Sequence, residues 1–208
     1  SGTSWITFVC GGLAAAPLVV NIGTPAQPPL PAEFTETDAG LHPDLSEVGD
    51  ALVLVSQDVK QQQAIGHVDT GGGQWVTHVL PEFFAGPTPT RWVADPVAEI
   101  GWGCSARNGQ LACLREQADG TWLTRAVASV MQADPTQALV FDSGIGPNGI
   151  MWIAFQAAPG QFALGHADEA ARETWVITSI LNADADAVGL AFAPDNTPRV
   201  VVLAEDSV

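Results

Sequence analysis

Thr121–Val127 reads TWLTRAV, and this stretch decides the fold because near copies of it recur along the chain. Each copy sets a tryptophan before a run of apolar and β-branched residues, as in a β-strand that follows a turn. A strand motif that returns at intervals predicts a fold built from repeated β-units. The other copies are SWITFV at residues 4–9, QWVTHV at residues 74–79 and TWVITSI at residues 174–180.

The sequence before these tryptophans recurs as well, in the order strand, turn, strand, turn and tryptophan strand. No segment carries ten residues of convincing helical period, so we expect an all-β chain. The first unit runs from residues 51–55 to Trp75, the second from residues 98–104 to Trp122, and the third from residues 150–155 to Trp175.

The two ends of the chain fit together in the same pattern. The last predicted strands, residues 188–193 and 199–204, have no tryptophan strand after them, and residues 1–9 supply one. In a closed β-propeller such a first strand completes the last blade and hides the sheet edges. The tryptophans lie 70, 47 and 53 residues apart, against about 40 to 45 residues per blade in common propellers. We therefore expect a β-propeller of four blades, or of five if residues 10–60 contain another.

The whole chain of 208 residues is expected to form this single domain. A proline-rich excursion at about residues 23–49 is predicted to be a long loop. A β-sandwich of similar strand content and a fragment of a larger ring are the alternative architectures.

The chain carries 23 acidic against 7 basic residues, a formal net charge of −16. Such a surface repels phosphate backbones, which argues against nucleic acid as a partner. No run of 18 apolar residues is present, so no membrane span is expected. The charge fits solubility in an extracellular or secreted setting better than cation binding, and the sequence leaves the oligomeric state open.

Two of the three cysteines flank a predicted hairpin. Asn108-Gly109 is the strongest two-residue hairpin signal. Counting outward places Cys104 opposite Cys113 at a non-hydrogen-bonded position, where Cα atoms lie about 4.5 Å apart and within disulfide reach. We therefore expect Cys104 and Cys113 to form a disulfide if the protein resides in an oxidising compartment. Two reduced, packed thiols are the alternative, because the odd number of cysteines leaves Cys10 without a partner in such a scheme.

The repeat of a Gly, Asp or Ser turn, a tryptophan and alternating apolar residues resembles the repeats of bacterial β-propellers, including lectin and sialidase-type propellers. The Ser-x-Asp-x-Gly-x-x-Trp box of sialidases is absent, since the segment from Ser143 to Trp152 has neither the aspartate nor the spacing. The sialidase mechanism uses a tyrosine nucleophile, and this chain contains no tyrosine. The resemblance implies a propeller that binds a ligand, with glycans as the leading class.

The seven tryptophans form two groups. Those that recur once per unit are expected to be framework residues that pack blade against blade, with a repeated sugar platform as the alternative. The others lie on different strands and, where exposed beside carboxylates, would stack against a sugar. The framework group is Trp5, Trp75, Trp122 and Trp175, and the candidate ligand group is Trp92, Trp102 and Trp152.

Near copies GHVD and GHAD occupy residues 66–69 and 165–168. In each, histidine and aspartate are two residues apart and share one face of a strand. The pairing suits ligand or metal binding, whereas its repetition suits a framework role, because a site is normally built once. The candidate ligand residues are His67 with Asp69 and His166 with Asp168.

Asn182, Asp184 and Asp186 alternate as the first ligands of a calcium loop do. Ala187 stands where that loop has glycine, and Ala193 stands where it has a bidentate glutamate. An acidic loop between blades is therefore the favoured interpretation, with calcium as the alternative and no other cofactor expected.

Together these features favour a non-catalytic, lectin-like propeller that binds carbohydrate. The alternatives are a scaffold for protein partners and, less favoured, a glycoside hydrolase that uses two carboxylates. No nucleophile elbow, phosphate loop or zinc-protease motif is present, which argues against an enzyme. Exposed rings at Trp92, Trp102 and Trp152 would favour sugar binding, and buried rings would favour the scaffold.

Overall fold

The computed structural model consists of short antiparallel strands joined by turns. It describes residues 4–9, 17–23, 31–33, 41–48, 51–58, 63–69, 75–86, 88–95, 100–132, 134, 136–167 and 174–203. Among these residues, the helical element is the 3₁₀ turn Glu82–Phe84, and no helix has the length and hydropathy to span a membrane. The strands are β1 (Ser4–Val9), β2 (Pro17–Gly23), β3 (Pro31–Glu33), β4 (Leu41–Val48), β5 (Ala51–Asp58), β6 (Gln63–Asp69), β7 (Trp75–Val79), β8 (Arg91–Asp95), β9 (Ile100–Arg107), β10 (Gln110–Glu116), β11 (Trp122–Ser129), β12 (Phe141–Ile145), β13 (Met151–Ala158), β14 (Gln161–Ala167), β15 (Trp175–Leu181), β16 (Ala187–Phe192) and β17 (Pro198–Leu203).

The described strands form five antiparallel sheets in chain order. Sheet A holds β1–β3, sheet B β4–β7, sheet C β8–β11, sheet D β12–β15 and sheet E β16–β17. Strands that are adjacent in sequence pair with each other, so each sheet is a meander. Trp75, Trp122 and Trp175 each open the fourth strand of a four-stranded sheet. The all-β prediction is thus confirmed, and the four-stranded antiparallel sheet recurs along the described chain.

The first strands of successive sheets are neighbours. β4 lies beside β8, β8 beside β12, and β12 beside β16. Sheets B to E therefore follow one another face to face, with an apolar core in each gap. The core between sheets C and D joins Cys104 and Leu111 of sheet C to Ile153 and Phe155 of sheet D, all fully buried.

The N-terminal part differs from the sequence-based expectation. β1 pairs with β2, with Ile6 opposite Val20, and does not join β17 in the described part of the chain. The completion of the last blade by residues 1–9 is therefore not confirmed, and the blade number stays a prediction. The excursion at residues 23–49, expected to be a loop, contains β3 and β4. Both are edge strands, where proline is tolerated, and Pro43 lies at a break in the register.

Side chains of one sheet bind the free backbone edge of the next. The N–H of Trp92 on β8 donates to Asp44 Oδ2 on β4, and its C=O accepts from Ser46 Oγ at 2.7 Å. The N–H of Leu190 on β16 donates to Asp142 Oδ2 on β12 at 2.7 Å. These bonds satisfy edge groups that would otherwise lack a partner.

Sheets C and D are joined in the same way just before their first strands. The N–H of Leu139, which precedes sheet D, donates to Thr88 Oγ1, which precedes sheet C, at 2.9 Å. Thr88 is in turn held to sheet C, because its C=O accepts from Ser105 Oγ on β9 at 3.1 Å. Thr88 and Ser105 are each 1% exposed, so these bonds keep buried polar groups satisfied.

The carboxyl of Asp44, which binds the N–H of Trp92, also has a shifted pKa. Burial raises the pKa of its carboxyl above the ordinary value of 3.8, while the Trp92 N–H and the Arg91 guanidinium lower it in part. Arg91 Nη1 lies 3.7 Å from Asp44 Oδ1, and the Asp44 side chain is 22% exposed. Desolvation outweighs the two favourable contacts, because the charged form loses more hydration than they return.

The predicted hairpin and its disulfide are present. Asn108 and Gly109 both have positive φ, 51° and 73°, as a type I′ turn requires. Cys104 pairs with Cys113 in the predicted register, and the two form a disulfide with Cα atoms 4.0 Å apart. The bond lies in the core between sheets C and D and links β9 to β10.

Replacing Cys104 and Cys113 together with alanine is expected to lower the free energy of unfolding by roughly 2–3 kcal/mol, because the bond closes a short loop in the unfolded chain. Urea unfolding measures the loss. Without reductant, alkylation of the native protein after unfolding should label no more than one of the three cysteines. Labelling of all three would contradict the bond.

Asp44→Asn is expected to change how stability depends on pH. Because the folded pKa of Asp44 is raised, the stability it contributes is present below about its ordinary value of 3.8 and is lost as pH rises through the folded pKa. Urea unfolding should therefore show the native protein losing stability relative to this variant as pH rises above about 4.

Asp119→Asn is the control with the opposite sign. Hydrogen bonds from the hydroxyl and N–H of Thr121 lower the pKa of Asp119, so the native protein should gain stability relative to this variant as pH rises. The same slope in both variants would contradict the assignment for Asp44.

Candidate functional site

The recurring tryptophans lie within the packing between sheets. Trp122 contacts Phe84 edge to face at 5.9 Å and packs against the core between sheets B and C. Trp175 packs against the core between sheets C and D. These positions fit the predicted framework role; the side chains of Trp5 and Trp75 lie outside the described residues.

The three candidate ligand tryptophans are also not exposed platforms. Trp102 is 3% exposed, and Trp92 and Trp152 are half-buried. The Trp92 ring covers two glycines of β9: a Cβ on Gly101 would lie 2.2 Å from Trp92 Nε1, and one on Gly103 would lie 2.8 Å from Cζ3. Trp92 therefore needs a strand without side chains beneath it, which is the contact of a packing residue.

Trp152 and His166 meet on the face of sheet D that looks toward sheet E. They are opposite each other in β13 and β14, and their ring centroids are 4.6 Å apart. His166 Nδ1 lies 3.1 Å from its neighbour's carbonyl oxygen, that of Ala167. The structure thus pairs two predicted candidates; Asp168 and the side chains of His67 and Asp69 lie outside the described residues.

A cleft opens at the hairpin end of sheet D, beside the loop that leads into sheet E. It has a volume of about 270 Å³, close to the lower end of the range for small-molecule sites, about 300 Å³. Met131, Leu139 and Pro159 give it an apolar part, and Met131 is 69% exposed. Its polar lining comes from Gln132, Asp134, Gln137, Gln156 and Asp184.

Asp184 is fixed within this cleft by two hydrogen bonds. Its Oδ1 accepts from Gln156 Nε2 at 2.7 Å and from the Gly160 N–H at 2.6 Å. Across the cleft, the Thr136 hydroxyl and N–H bond Asp134 Oδ1 and lower the pKa of that carboxyl. Two oriented carboxylates and three amides can accept from and donate to hydroxyl groups.

The calcium candidates do not gather into a metal centre in the described part of the chain. Asn182, Asp184 and Asp186 are exposed on the loop between β15 and β16. Among described residues, no three His, Cys, Asp or Glu side chains converge closely enough to hold an ion. Calcium remains a prediction from the sequence.

Sequence reasoning named one cleft residue, Asp184, and for a different role. Ala185 is the neighbour of Asp184, and the other lining residues lie far away in sequence, between Met131 and Val140 and at Gln156 and Pro159. The only signal was the polar run MQADPTQ at residues 131–137, which reads as an ordinary loop.

No protein-family model and no curated protein sequence matches this chain. Solved structures share its fold. AofleA from Arthrobotrys oligospora has a TM-score of 0.69 at 12% identity, over 98% of this chain and 62% of that chain. A mutant of Aleuria aurantia lectin in complex with alpha-methyl-L-fucoside has a TM-score of 0.53 at 13% identity, over 96% and 70% of the two chains. An engineered GH43 glycoside hydrolase with endo-xylanase and exo-arabinofuranosidase activity has a TM-score of 0.53 at 11% identity, over 98% and 48%.

These likenesses, at 11–13% identity, show the fold alone. The fold is propeller-like, as the repeat predicted, and this favours a propeller over a sandwich. The chain spans 62% of the length of AofleA.

Gly101→Ala is expected to destabilise the protein by about 1–3 kcal/mol, because the new methyl group overlaps the rigid Trp92 indole. Gly189→Ala is the matched control, since it also lies in a strand and its Cβ would meet no atom within 4 Å. Thermal and urea unfolding compare the two. Equal stability of both variants would show that Trp92 does not pack on Gly101.

Proposed function

We propose that this protein is a non-catalytic, carbohydrate-binding propeller and that the cleft around Asp184 holds the sugar. The observation that carries the proposal is the lining of this cleft. It sets amides and carboxylates beside an apolar patch, in a volume of about 270 Å³ that suits a single sugar ring.

Sugar hydroxyls both donate and accept hydrogen bonds, and the cleft offers both kinds of partner. Gln137 is exposed and presents an amide, while Asp134 stays ionised because hydrogen bonds lower its pKa. Met131, exposed at the rim, would cover the C–H face of the ring. Planar acceptors and donors around an apolar patch match the amphipathic surface of a pyranose.

The comparisons support the class of ligand. Aleuria aurantia lectin, which shares the fold, is in complex with alpha-methyl-L-fucoside, and the GH43 enzyme acts as a xylanase and arabinofuranosidase. An extracellular location agrees with the Cys104–Cys113 disulfide, because such bonds persist in oxidising compartments.

A scaffold for protein partners is the second candidate. The burial of Trp102 and the partial burial of Trp92 and Trp152 favour it, by the exposure criterion set from the sequence. Val201 and Leu203 on β17 add apolar surface, being 72% and 62% exposed. A two-carboxylate hydrolase has less support.

Two acids on the first strands of their sheets show why a two-carboxylate hydrolase is less favoured. Asp44 and Asp142 each accept a hydrogen bond from the backbone of the next sheet. Their carboxylates are therefore engaged in holding the framework, which leaves them poorly placed for acid–base chemistry on a substrate.

A glycan array, run with calcium and again with chelator, tests the proposal, followed by titration calorimetry with the best hit. Asp184→Asn and Met131→Ala should each weaken binding, Asp184→Asn by roughly tenfold or more, because a hydrogen bond to a charged group contributes about 1.5–3 kcal/mol. The asparagine Oδ1 can still accept from Gln156 and Gly160, so the fold should be kept.

Asp186→Asn is the matched control, because Asp186 is an exposed acid two residues away that does not line the cleft. If it has no effect, Asp184 acts through the cleft. If both variants lose binding and chelation does the same, calcium held by this loop would carry recognition instead. An array without hits in either condition would favour the scaffold.

A further inference from the structure

We propose that the cleft around Asp184 selects a cationic sugar, namely an amino sugar with a protonated amine, over neutral and acidic sugars. This inference rests on the proposed function, because it concerns the same cleft and names the chemical class of its ligand. Two properties of the lining lead to it: the sign of its charge, and the hydrogen-bonding groups that it leaves for a ligand.

The charged groups that line the cleft are negative. They are Asp134 and Asp184, and the described lining includes no lysine, arginine or histidine. Asp134 is kept ionised, because hydrogen bonds from the hydroxyl and N–H of Thr136 lower the pKa of its carboxyl. The whole chain, with 23 acidic against 7 basic residues, has a field of the same sign. A cationic ligand is therefore attracted to the cleft, and an anionic ligand is repelled.

Each of the two carboxylates keeps one oxygen available. Asp184 Oδ1 accepts from Gln156 Nε2 and from the N–H of Gly160. Asp134 Oδ1 accepts from the hydroxyl and N–H of Thr136. Both side chains are thus fixed through Oδ1, whereas Oδ2 of either acid accepts no hydrogen bond from a described residue. Oδ2 is the atom left for a donor on the ligand.

Two of the three glutamines in the described lining use an amide N–H within the protein. Gln156 Nε2 donates to Asp184 at 2.7 Å, and Gln132 Nε2 donates to the C=O of Gln137 at 2.9 Å. Because a carboxylate and a carbonyl oxygen can only accept, both amides must turn Nε2 toward these partners and keep Oε1 as an acceptor. Together with the two carboxylates, these amides make the cleft richer in acceptors than in donors.

An ammonium group fits such an excess of acceptors. It has three N–H donors and no acceptor, whereas a hydroxyl group has one donor. Charge-assisted hydrogen bonds are about twice as strong as neutral ones, so the amine should contribute more than the hydroxyl that it replaces. A divalent metal ion fits less well, because calcium takes about 6–8 oxygen ligands and no three acidic, His or Cys side chains converge in the described part of the chain.

The rest of the lining favours a sugar over a simple amine. Met131, Leu139 and Pro159 form an apolar part that can contact the C–H groups of a ring. The exposed amide of Gln137 can donate to and accept from ring hydroxyls. A ligand that uses both parts of the lining is a sugar ring that carries an ammonium group, such as a 2-amino-2-deoxyhexose.

The two methionines of the chain give a test that reports on the cleft itself. Met131 lines the cleft, and Met151, 2% exposed in the core between sheets C and D, is the internal reference. The whole chain, labelled with carbon-13 at its methionine methyl groups and assigned with Met131→Leu, is titrated by NMR at constant ionic strength and about pH 6, where amines are protonated. The probes are D-glucosamine, N-acetyl-D-glucosamine, D-glucose, D-glucuronate and cyclohexylamine.

D-glucosamine should shift the Met131 signal saturably and leave the Met151 signal unchanged. It should bind at least about fivefold tighter than D-glucose and N-acetyl-D-glucosamine, because these lack the charge at the same ring position. D-glucuronate should bind more weakly than either neutral sugar. Cyclohexylamine, which has the ammonium group but no hydroxyls, should bind more weakly than D-glucosamine.

Asp134→Asn should lower the preference for D-glucosamine over D-glucose by at least about threefold, because it removes one of the two charges. Asp195→Asn is the matched control: Asp195 is an exposed acid that also accepts from a threonine two residues later, Thr197, and it does not line the cleft. Its preference should be that of the native protein. Asp184→Asn should also lower the preference, and it replaces Asp134→Asn should that variant fail to fold.

Four results would overturn the inference. If D-glucose binds as tightly as D-glucosamine, the ligand class is wrong but the sugar site stands. If no sugar shifts the Met131 signal, the proposed function fails at this cleft and the inference fails with it. Binding of cyclohexylamine as tight as that of D-glucosamine would indicate a general ammonium site. An equal loss of preference in Asp134→Asn and Asp195→Asn would reflect net charge alone.

Discussion

The free backbone edge of each sheet's first strand is the constraint on which this structure depends. An edge strand leaves N–H and C=O groups without a ladder partner, and their burial is unfavourable unless another group binds them. The partner is a carboxylate on the first strand of the preceding sheet in two cases: Asp44 binds the N–H of Trp92, and Asp142 binds the N–H of Leu190. Between sheets C and D, Thr88 binds the N–H of Leu139 just before the first strands. Because each bond runs from one sheet to the next, these contacts set the order and spacing of the sheets.

Once the sheets are held at their first strands, their faces enclose the cores and leave openings at the ends. The core between sheets C and D is closed by the disulfide and by Ile153 and Phe155. Between sheets D and E the packing is smaller, with Ala154, Phe162 and Ala185, and the cleft adjoins it. The cleft therefore lies where the packing between neighbouring sheets is smaller, and most of the described tryptophan side chains pack against the cores.

The acidic side chains differ in the same way between the sheet edges and the openings. Acids on the first strands of the sheets accept hydrogen bonds from the backbone, as Asp142 does from the N–H of Leu190, and contribute to the framework. Asp184, at the outer end of a gap, is oriented but stays exposed. Arg115 lies at the margin of a core, with its guanidinium carbon 5.1 Å from the centroid of the buried Trp102 ring.

The sequence by itself determined the strand content, the repeated unit and the register of the Asn108-Gly109 hairpin, including the cysteine pair. These are local properties, because strand composition and a two-residue turn fix which residues pair across a hairpin. The sequence predicted a loop at residues 23–49, where the structure has β3 and β4, because prolines there resemble those of a loop. Only the tertiary structure decided which faces meet, and so which tryptophans are buried, that Asp184 joins residues 131–140 in a cleft, and that two arginines share Trp102. The physical reason is that such contacts join residues distant in sequence, whose approach depends on how whole sheets pack.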